Sequence, residues 1–250
     1  MSASTRRKFV YLIRTLTLVT AALAASASAQ EFDAKELIER MSAEIAQLNR
    51  FVVRGDAYTD ARLAAGLIIE HASQVELRLQ RQPAAVRISN RKSEGTTEIF
   101  FDDGRLSVYN DRDNFYAQTE IPKSVDSMLS YAVNEVDIEA PLLDFVSSNI
   151  AGDLINGADE IRYLGTSLIR ETTFHHIAIR SSEVDVQLWI AAEGQPLPGK
   201  LVISSKWEAG SPRFVAFFDW ETDPDFSPDL FRFDPPNDAI EIGFIADLQD

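Results

Sequence analysis

Strict alternation of apolar and polar residues is the feature that most constrains the fold of this 250-residue chain. Within residues 66–80, Val75, Leu77 and Leu79 alternate with glutamine, glutamate and arginine. Because successive side chains of a strand point to opposite faces, this pattern is typical of a strand with one buried and one solvated face. The pattern recurs in two blocks of the chain, so the sequence predicts a largely antiparallel sheet.

Two blocks of short strands are predicted, with a helical segment between them. In the first block, Asp103-Gly104 favours a tight hairpin turn, because glycine readily adopts the positive φ that such a turn needs. In the second block, residues 214–218 are apolar on both faces, which favours a central buried strand or a strand that lines an apolar cavity. Besides the strand within residues 66–80, the predicted strands are residues 85–88, 97–101, 105–109, 115–120, 160–164, 172–180, 184–191, 200–207 and 213–220.

Helical periodicity predicts three helices. The first begins after Asp33, a capping residue, and its apolar residues follow at three- and four-residue steps as far as Val52. Pro122 and Pro141 are suited to the first turns of two shorter helices. The combination of a sheet with one long N-terminal helix and two short helices predicts the α+β fold class.

Residues 1–29 have the organisation of an export signal peptide: a basic start, an apolar middle and small residues before Gln30. The apolar middle is far shorter than the roughly 20 residues that cross a bilayer, so we expect cleavage and no membrane anchor. Arg6-Arg7 resembles the twin-arginine motif, and the sequence leaves the Sec and twin-arginine routes open. We expect residues 30–250 to form a single periplasmic domain.

Charge and cysteine content exclude several function classes. The chain has 24 basic and 39 acidic residues and a formal net charge of −15. Four basic residues and no acidic ones precede Gln30, which leaves 20 basic residues against 39 acidic ones and a net charge of −19. Such a surface repels nucleic acid and anionic lipid headgroups. Because the chain has no cysteine, it cannot be a lipid-anchored lipoprotein.

No residue pattern supports catalysis or a metal site. The adjacent His175 and His176 lie on a predicted strand, where they would point to opposite faces. The acidic residues from Asp219 to Asp225 alternate as in a calcium loop but lack its glycine and its final glutamate. We therefore expect no metal, no cofactor and no enzymatic activity. A cleft around His176 and Arg180 is the remaining enzyme hypothesis.

An ordered set of motifs resembles an uncharacterised family of predicted exported bacterial proteins. The motifs are His176, residues 184–190 (VDVQLWI), residues 196–203 (PLPGKLVI), Trp220 and residues 231–236 (FRFDPP). That family in turn resembles the superfamily of the periplasmic lipoprotein carrier LolA and its outer-membrane partner LolB. The resemblance implies a strongly curved antiparallel sheet that forms an unclosed half-barrel, one long helix, and two short lid helices over a hydrophobic cavity for acyl chains.

The chain departs from the carriers in two respects. Without a cysteine it cannot be the anchored acceptor LolB. The cavity arginine of the carrier has two candidates, Arg81 and Arg87, on either side of Pro83. The lipoprotein-carrying activity itself is therefore not transferred, whereas the resemblance still implies a binding cavity.

These observations predict a soluble periplasmic binding protein that shelters a lipid, acyl chain or other apolar ligand in a hydrophobic cavity. The alternative is a cell-envelope protein–protein interaction module with a packed core and no ligand. The residues predicted to bind the ligand are Trp189, Val215 and Phe217 from the sheet, and Leu142, Phe145 and Val146 from the lid.

The last strand is predicted at Phe231 and Phe233. Their two-residue spacing would place both rings on one face of the sheet. Pro235 and Pro236 would then end the strand, because proline has no N–H for a ladder hydrogen bond.

Overall fold

The structure is a computed structural model that describes residues 32–64, 66–134, 142, 145, 147–227 and 229–244. The predicted signal peptide, Pro141 and Val146 lie outside the described residues. The helices are α1 (Ala34–Gln47), α2 (Val125–Asn134) and α3 (Ile150–Asn156). The strands are β1 (Arg50–Arg62), β2 (Ile68–Gln80), β3 (Ala85–Lys92), β4 (Gly95–Asp102), β5 (Arg105–Asn110), β6 (Phe115–Glu120), β7 (Glu160–Ile169), β8 (Thr172–Arg180), β9 (Val184–Ala191), β10 (Pro198–Ser205), β11 (Arg213–Thr222) and β12 (Ile240–Glu241).

The twelve strands form one sheet in the order β12-β6-β5-β4-β3-β2-β1-β11-β10-β9-β8-β7. All neighbouring strands pair antiparallel except β12 and β6, which pair parallel. Two meanders, β1–β6 and β7–β11, meet where β1 pairs with β11. Within the described residues the sheet is unclosed, with β12 and β7 at its edges, so the prediction of an unclosed and mostly antiparallel sheet is confirmed.

The first helix is shorter than predicted, and the strand that follows it was missed. The Asp33 side chain caps α1 by accepting a hydrogen bond from Lys35 N at 2.8 Å. The helix ends at Gln47, so Val52 belongs to β1 and the predicted helical end is wrong. Phe51, Val52 and Val53 are all buried, and an apolar run of this kind has neither the helical nor the strand period.

One face of the sheet, here called the inner face, packs against the helices in a single apolar cluster. The opposite side is here called the outer face. Because side chains alternate along a strand, Val53 and Leu77 point inward whereas Arg54 and Glu76 point outward. The helices bury Leu37, Ile38, Met41 and Ile45 of α1, Val125, Met128 and Ala132 of α2, and Ile150 of α3.

The chain after β11 crosses the outer face as an irregular segment, here called the strap (residues 223–227 and 229–239). The prediction of a strand at Phe231 and Phe233 is therefore wrong. The Phe233 ring lies 5.2, 5.7 and 5.5 Å from the ring centroids of Phe100, Tyr109 and Tyr116, which belong to β4, β5 and β6. These outer-face rings hold Phe233, and Phe231 is buried against the ring of Phe226, so both phenylalanines find apolar contacts without the hydrogen bonds of a strand.

The two edges of the sheet end differently. At one edge, β12 pairs with β6 through Ile240–Phe115 and Glu241–Tyr116. At the other edge, the pairing of β7 with β8 shifts register between Tyr163 and Gly165. Gly165 has φ +103°, a conformation that glycine adopts without a steric cost. The edge strand β7 therefore contains a β-bulge.

We expect the Phe233→Ala variant to lower the free energy of unfolding by about 2 kcal/mol, less than for a fully buried phenylalanine because Phe233 is partly exposed. The measurement is urea unfolding monitored by circular dichroism. The neighbouring Arg232 is exposed, and its ion pairs with described residues are those with Asp229 and Asp234, so Arg232→Ala is the matched control and should leave stability close to that of the wild type. Equal effects of the two variants would show that the ring contacts do not hold the strap.

Candidate functional site

An aromatic cluster lies on the inner face where the two meanders meet. Phe218 and Trp220 of β11 point to this face, and the Trp220 ring lies 5.3 Å from the ring of Phe51 on β1. Trp220 is oriented by its Nε1, which donates a hydrogen bond of 2.7 Å to Pro198 O. The cluster is therefore fixed to the centre of the sheet by both backbone and ring contacts.

Phe145, which lies in a 3-10 turn between α2 and α3 in the sequence, covers this cluster. Its ring meets Phe218 edge-on, with centroids 5.0 Å apart and planes at 88°, and it meets Trp220 at 5.6 Å and 67°. Phe145 is 3% exposed. Edge-to-face contacts of this kind contribute roughly 0.5–1.5 kcal/mol each beyond the burial of area.

Leu142, whose backbone is strained, supports Phe145. It has φ +78°, a left-handed conformation that costs a residue with a branched side chain of this size about 1–3 kcal/mol. Its side chain is nevertheless 4% exposed and packs in the inner-face cluster. Phe145 N donates a hydrogen bond of 3.0 Å to Leu142 O, which links the two residues. Packing against the sheet thus compensates local backbone strain.

A second aromatic group lies on the outer face of β8–β11. The His176 ring stacks on Trp189 at 4.1 Å and 12°, while Nε2 of His176 lies 3.1 Å from Gln187 Oε1. Lys200 Nζ lies 4.5 Å from the centroid of Trp189 and 4.9 Å from that of Phe217. Burial lowers the pKa of His176 and the pKa of Lys200. The cation–π contacts compensate in part for the desolvation of Lys200.

The structure divides the six residues predicted to bind a ligand. Trp189, Val215 and Phe217 lie on the outer face, where Val215 packs against the small cluster of Phe174, Trp189 and Val202. Leu142 and Phe145 lie on the inner face, and Val146 is outside the described residues. The two sets are not brought together. That any of these residues binds a ligand stays a prediction.

Sequence reasoning missed Phe218 and Trp220, although β11 contains a signal that finds them. Its odd-numbered positions include Arg213, Asp219 and Glu221, which are exposed. Charged residues at both ends of the odd set indicate the solvated face. The even set, from Phe214 to Trp220, is therefore the one that faces the helices.

The two candidate cavity arginines have structural partners. Arg81 donates from Nε to Leu48 O at 3.2 Å and thereby satisfies a carbonyl at the end of α1. Arg87 lies on the outer face, where its Nη2 donates to Glu98 at 2.7 Å beneath the strap. In the part of the chain that the structure describes, the hydrogen bonds of these two guanidiniums go to Ile45, Leu48, Glu98 and Leu230 and not to the proposed lid residues.

The adjacent histidines lie on opposite faces of β8. His175 points inward, with Nδ1 3.0 Å from Tyr163 Oη and its ring 4.4 Å from the Phe32 ring. Burial, and secondarily the charge of Arg40, lowers the pKa of His175. Within the described ranges, no group of three histidine, aspartate or glutamate side chains could hold a metal ion.

Comparisons with known proteins find a family match. Residues 34–245 match a family described as predicted periplasmic protein (DUF2092). No curated protein matches the chain. None of the helices in the described ranges is both long enough and apolar enough to span a bilayer.

Several solved structures are similar to this chain. The lipoprotein LppX of Mycobacterium tuberculosis is 14% identical with a TM-score of 0.46, and the match covers 77% of this chain and 96% of LppX. The MucA/MucB complex of Pseudomonas aeruginosa contains a chain that is 16% identical with a TM-score of 0.45. The match covers 81% of this chain and 62% of that one. A LolA superfamily protein of Nitrosomonas europaea is 10% identical with a TM-score of 0.38. The match covers 81% of this chain and 98% of that protein. No property of these proteins is transferred to this chain.

We expect the stability of the protein to fall as the pH decreases, in part because of His175. The lowered pKa means that the folded state binds this proton more weakly than the unfolded chain, whose histidine pKa is about 6.5. The contribution of neutral His175 to the free energy of unfolding is therefore fully present above about pH 6.5. It is lost as the pH falls from there through the lowered pKa of the folded state. The measurement is urea unfolding of the wild type and of His175→Gln at about pH 7 and about pH 5.

The His175→Gln variant should lose less stability over this interval than the wild type does. His71 is exposed on β2, so His71→Gln is the control and should keep the wild-type pH dependence. If His175→Gln had the same pH dependence of stability as the wild type, His175 would not be one of the groups responsible for it.

Proposed function

The chain belongs to the DUF2092 family of predicted periplasmic proteins, and we propose that it is a periplasmic binding protein that shelters a lipid, acyl chain or other apolar ligand. The ligand lies on the inner face, where β1 pairs with β11. Phe218 and Trp220 form its floor, and Leu142 and Phe145 act as its lid. The outer-face residues that the sequence suggested for the cavity then make no contact with the ligand.

The packing of Phe145 is the observation that supports this proposal. The ring occupies the middle of the inner face through contacts with Phe218 and Trp220, although Phe145, which lies in a 3-10 turn, belongs to none of the strands of the sheet. Its hydrogen bond to Leu142 O lies within the pair, so the two residues can move together. An acyl chain could thus take the place of two apolar side chains without breaking a strand ladder.

The energies favour long acyl chains. Exposing a buried leucine or phenylalanine side chain costs about 1.5–3 kcal/mol, so displacing the pair costs up to about 6 kcal/mol in exposed area alone, before the two ring contacts of Phe145 are counted. Burying an acyl chain gains about 0.8 kcal/mol per methylene, so about eight buried methylenes offset that cost. Release of the strain at Leu142 lowers the cost further. Affinity should therefore rise steeply once the chain exceeds about eight carbons.

The alternative function, an interaction module for a cell-envelope protein, is favoured by exposed apolar side chains at one end of the sheet. The β1–β2 and β10–β11 turns lie at the same end, because β1 and β11 are antiparallel. Such a patch is typical of protein interaction sites. A module of this kind keeps its lid residues in place and takes up no acyl chain. The apolar residues at this end, between 45% and 72% exposed, are Leu63, Leu67, Ile68 and Trp207.

Tryptophan quenching by a brominated acyl chain tests the proposal, because the three tryptophans report three different places. We expect a long-chain methyl ester brominated at mid-chain to quench the tryptophan fluorescence of the delipidated protein in a saturable manner. Trp220 lies on the inner face, so Trp220→Phe should abolish most of the quenching. Trp189 lies on the outer face and Trp207 at the exposed turn, so Trp189→Phe and Trp207→Phe are matched controls that should retain it.

Three outcomes are informative. Loss of quenching in Trp220→Phe alone supports an inner-face ligand. Loss of quenching in Trp189→Phe alone would indicate a ligand on the outer face and contradict the proposal. No saturable quenching of the wild type would favour the interaction module.

A further inference from the structure

The inner face changes abruptly from apolar to polar near the β3–β4 turn. An apolar row crosses four strands in the pairing register, and it consists of Leu77, Ile88, Ile99 and Val108. The next row on the same face consists of Val75, Asn90, Thr97 and Asn110. The two rows are two strand residues, or about 7 Å, apart. A ligand that extends from one row to the other meets both environments.

Asn90 is the unusual member of the polar row. It is 8% exposed, and its Oδ1 is buried without a hydrogen-bond donor from any residue that the structure describes. The other amide of the row is satisfied: Asn110 Nδ2 donates to Thr97 Oγ1 at 3.1 Å, and Asn110 Oδ1 accepts from Asp113 N at 3.1 Å. A buried carbonyl oxygen without a donor is destabilising by about 1–3 kcal/mol, which is why nearly all such groups are paired.

Asn90 is connected to the proposed lid site by one row of paired residues. Asn90 pairs with Val75, Val75 with Gly55, and Gly55 with Phe218, all on the inner face. Three strand spacings separate Asn90 from Phe218, which is about 14 Å. Gly55 contributes no side chain between them. An acyl chain that displaces Phe145 from Phe218 can therefore reach Asn90 with its other end.

We propose that Asn90 Oδ1 accepts a hydrogen bond from the head group of the bound ligand, an inference that rests on the proposed function. The ligand supplies the donor that none of the described residues provides. The polar row contains no charged side chain, and a buried ionised group without a counter-charge is strongly disfavoured. The ligand is therefore a neutral amphiphile, with an acyl or alkyl chain and a hydroxyl or amide N–H head, rather than a fatty acid carboxylate or a phosphate.

The test compares three brominated chains of equal length that differ only in the head: a primary alcohol, a methyl ester and a carboxylate. We expect the wild type to bind the alcohol about ten-fold more tightly than the ester, which has no donor, and more tightly than the carboxylate. Asn90→Leu should remove the preference for the alcohol and leave the affinity for the ester unchanged. Ser89→Ala changes the outer face of the same strand and should keep the preference.

The outcomes separate this inference from the function on which it rests. Equal binding of alcohol and ester by the wild type, or a preference that survives Asn90→Leu, overturns the head-group contact but leaves acyl binding in place. Tighter binding of the carboxylate than of the alcohol overturns the neutral head. Absence of saturable quenching with all three chains overturns the proposed function itself.

The folding of the variant has its own control. Removing a carbonyl that receives no hydrogen bond from the described residues should not lower stability, so the free energy of unfolding of Asn90→Leu in urea should match or exceed that of the wild type. If the leucine side chain is too large for the site and prevents folding, Asn90→Val removes the same oxygen and introduces a smaller side chain than leucine. It provides the same comparison.

Discussion

The pairing of β1 with β11 is the contact on which the rest of the structure depends. Nine residue pairs, from Phe51–Thr222 to Thr59–Phe214, join two meanders whose other antiparallel pairs all connect sequence neighbours. Arg50 Nη2 and Asp223 Oδ1, 173 residues apart, meet at 2.6 Å beside the first pair. Closing so long a loop is entropically unfavourable and is compensated only when the inner face becomes continuous. The aromatic cluster beneath Phe145 exists only in the joined sheet.

The two faces of that joined sheet use different kinds of contact. On the outer face, cations lie over rings, as Lys200 does over Trp189 and Phe217, and the strap is tied to β4–β6 by Phe233. On the inner face the helices contribute almost entirely apolar contacts, which are not directional and can be exchanged for those of another apolar body. The directional contacts of the outer face are suited to fixing the strap and the strands in place. The apolar contacts of the inner face are suited to binding an apolar ligand.

Alternation in the sequence was sufficient to predict most strands and their wet faces, because Val75, Leu77 and Leu79 have one possible orientation in a sheet. It was insufficient where a strand is apolar on both sides. For this reason the pattern does not reveal β1, and in β11 it does not distinguish the odd positions Val215 and Phe217 from the inner-face residues Phe218 and Trp220. The strap could not be predicted because Phe233 binds rings of three strands that are distant in sequence. Asn90 carries no local signal, since its missing donor is a property of the packed fold.

The bulge in β7 has a consequence for encounters between molecules. An edge strand presents free N–H and C=O groups that a strand of a second molecule can extend. The register shift between Tyr163 and Gly165 interrupts that row of groups, while β12 covers part of the opposite edge at β6. A second copy that docked along β7 would match the ladder on one side of the bulge and lose it on the other. The position of a single glycine thus disfavours edge-to-edge polymerisation at high local concentration.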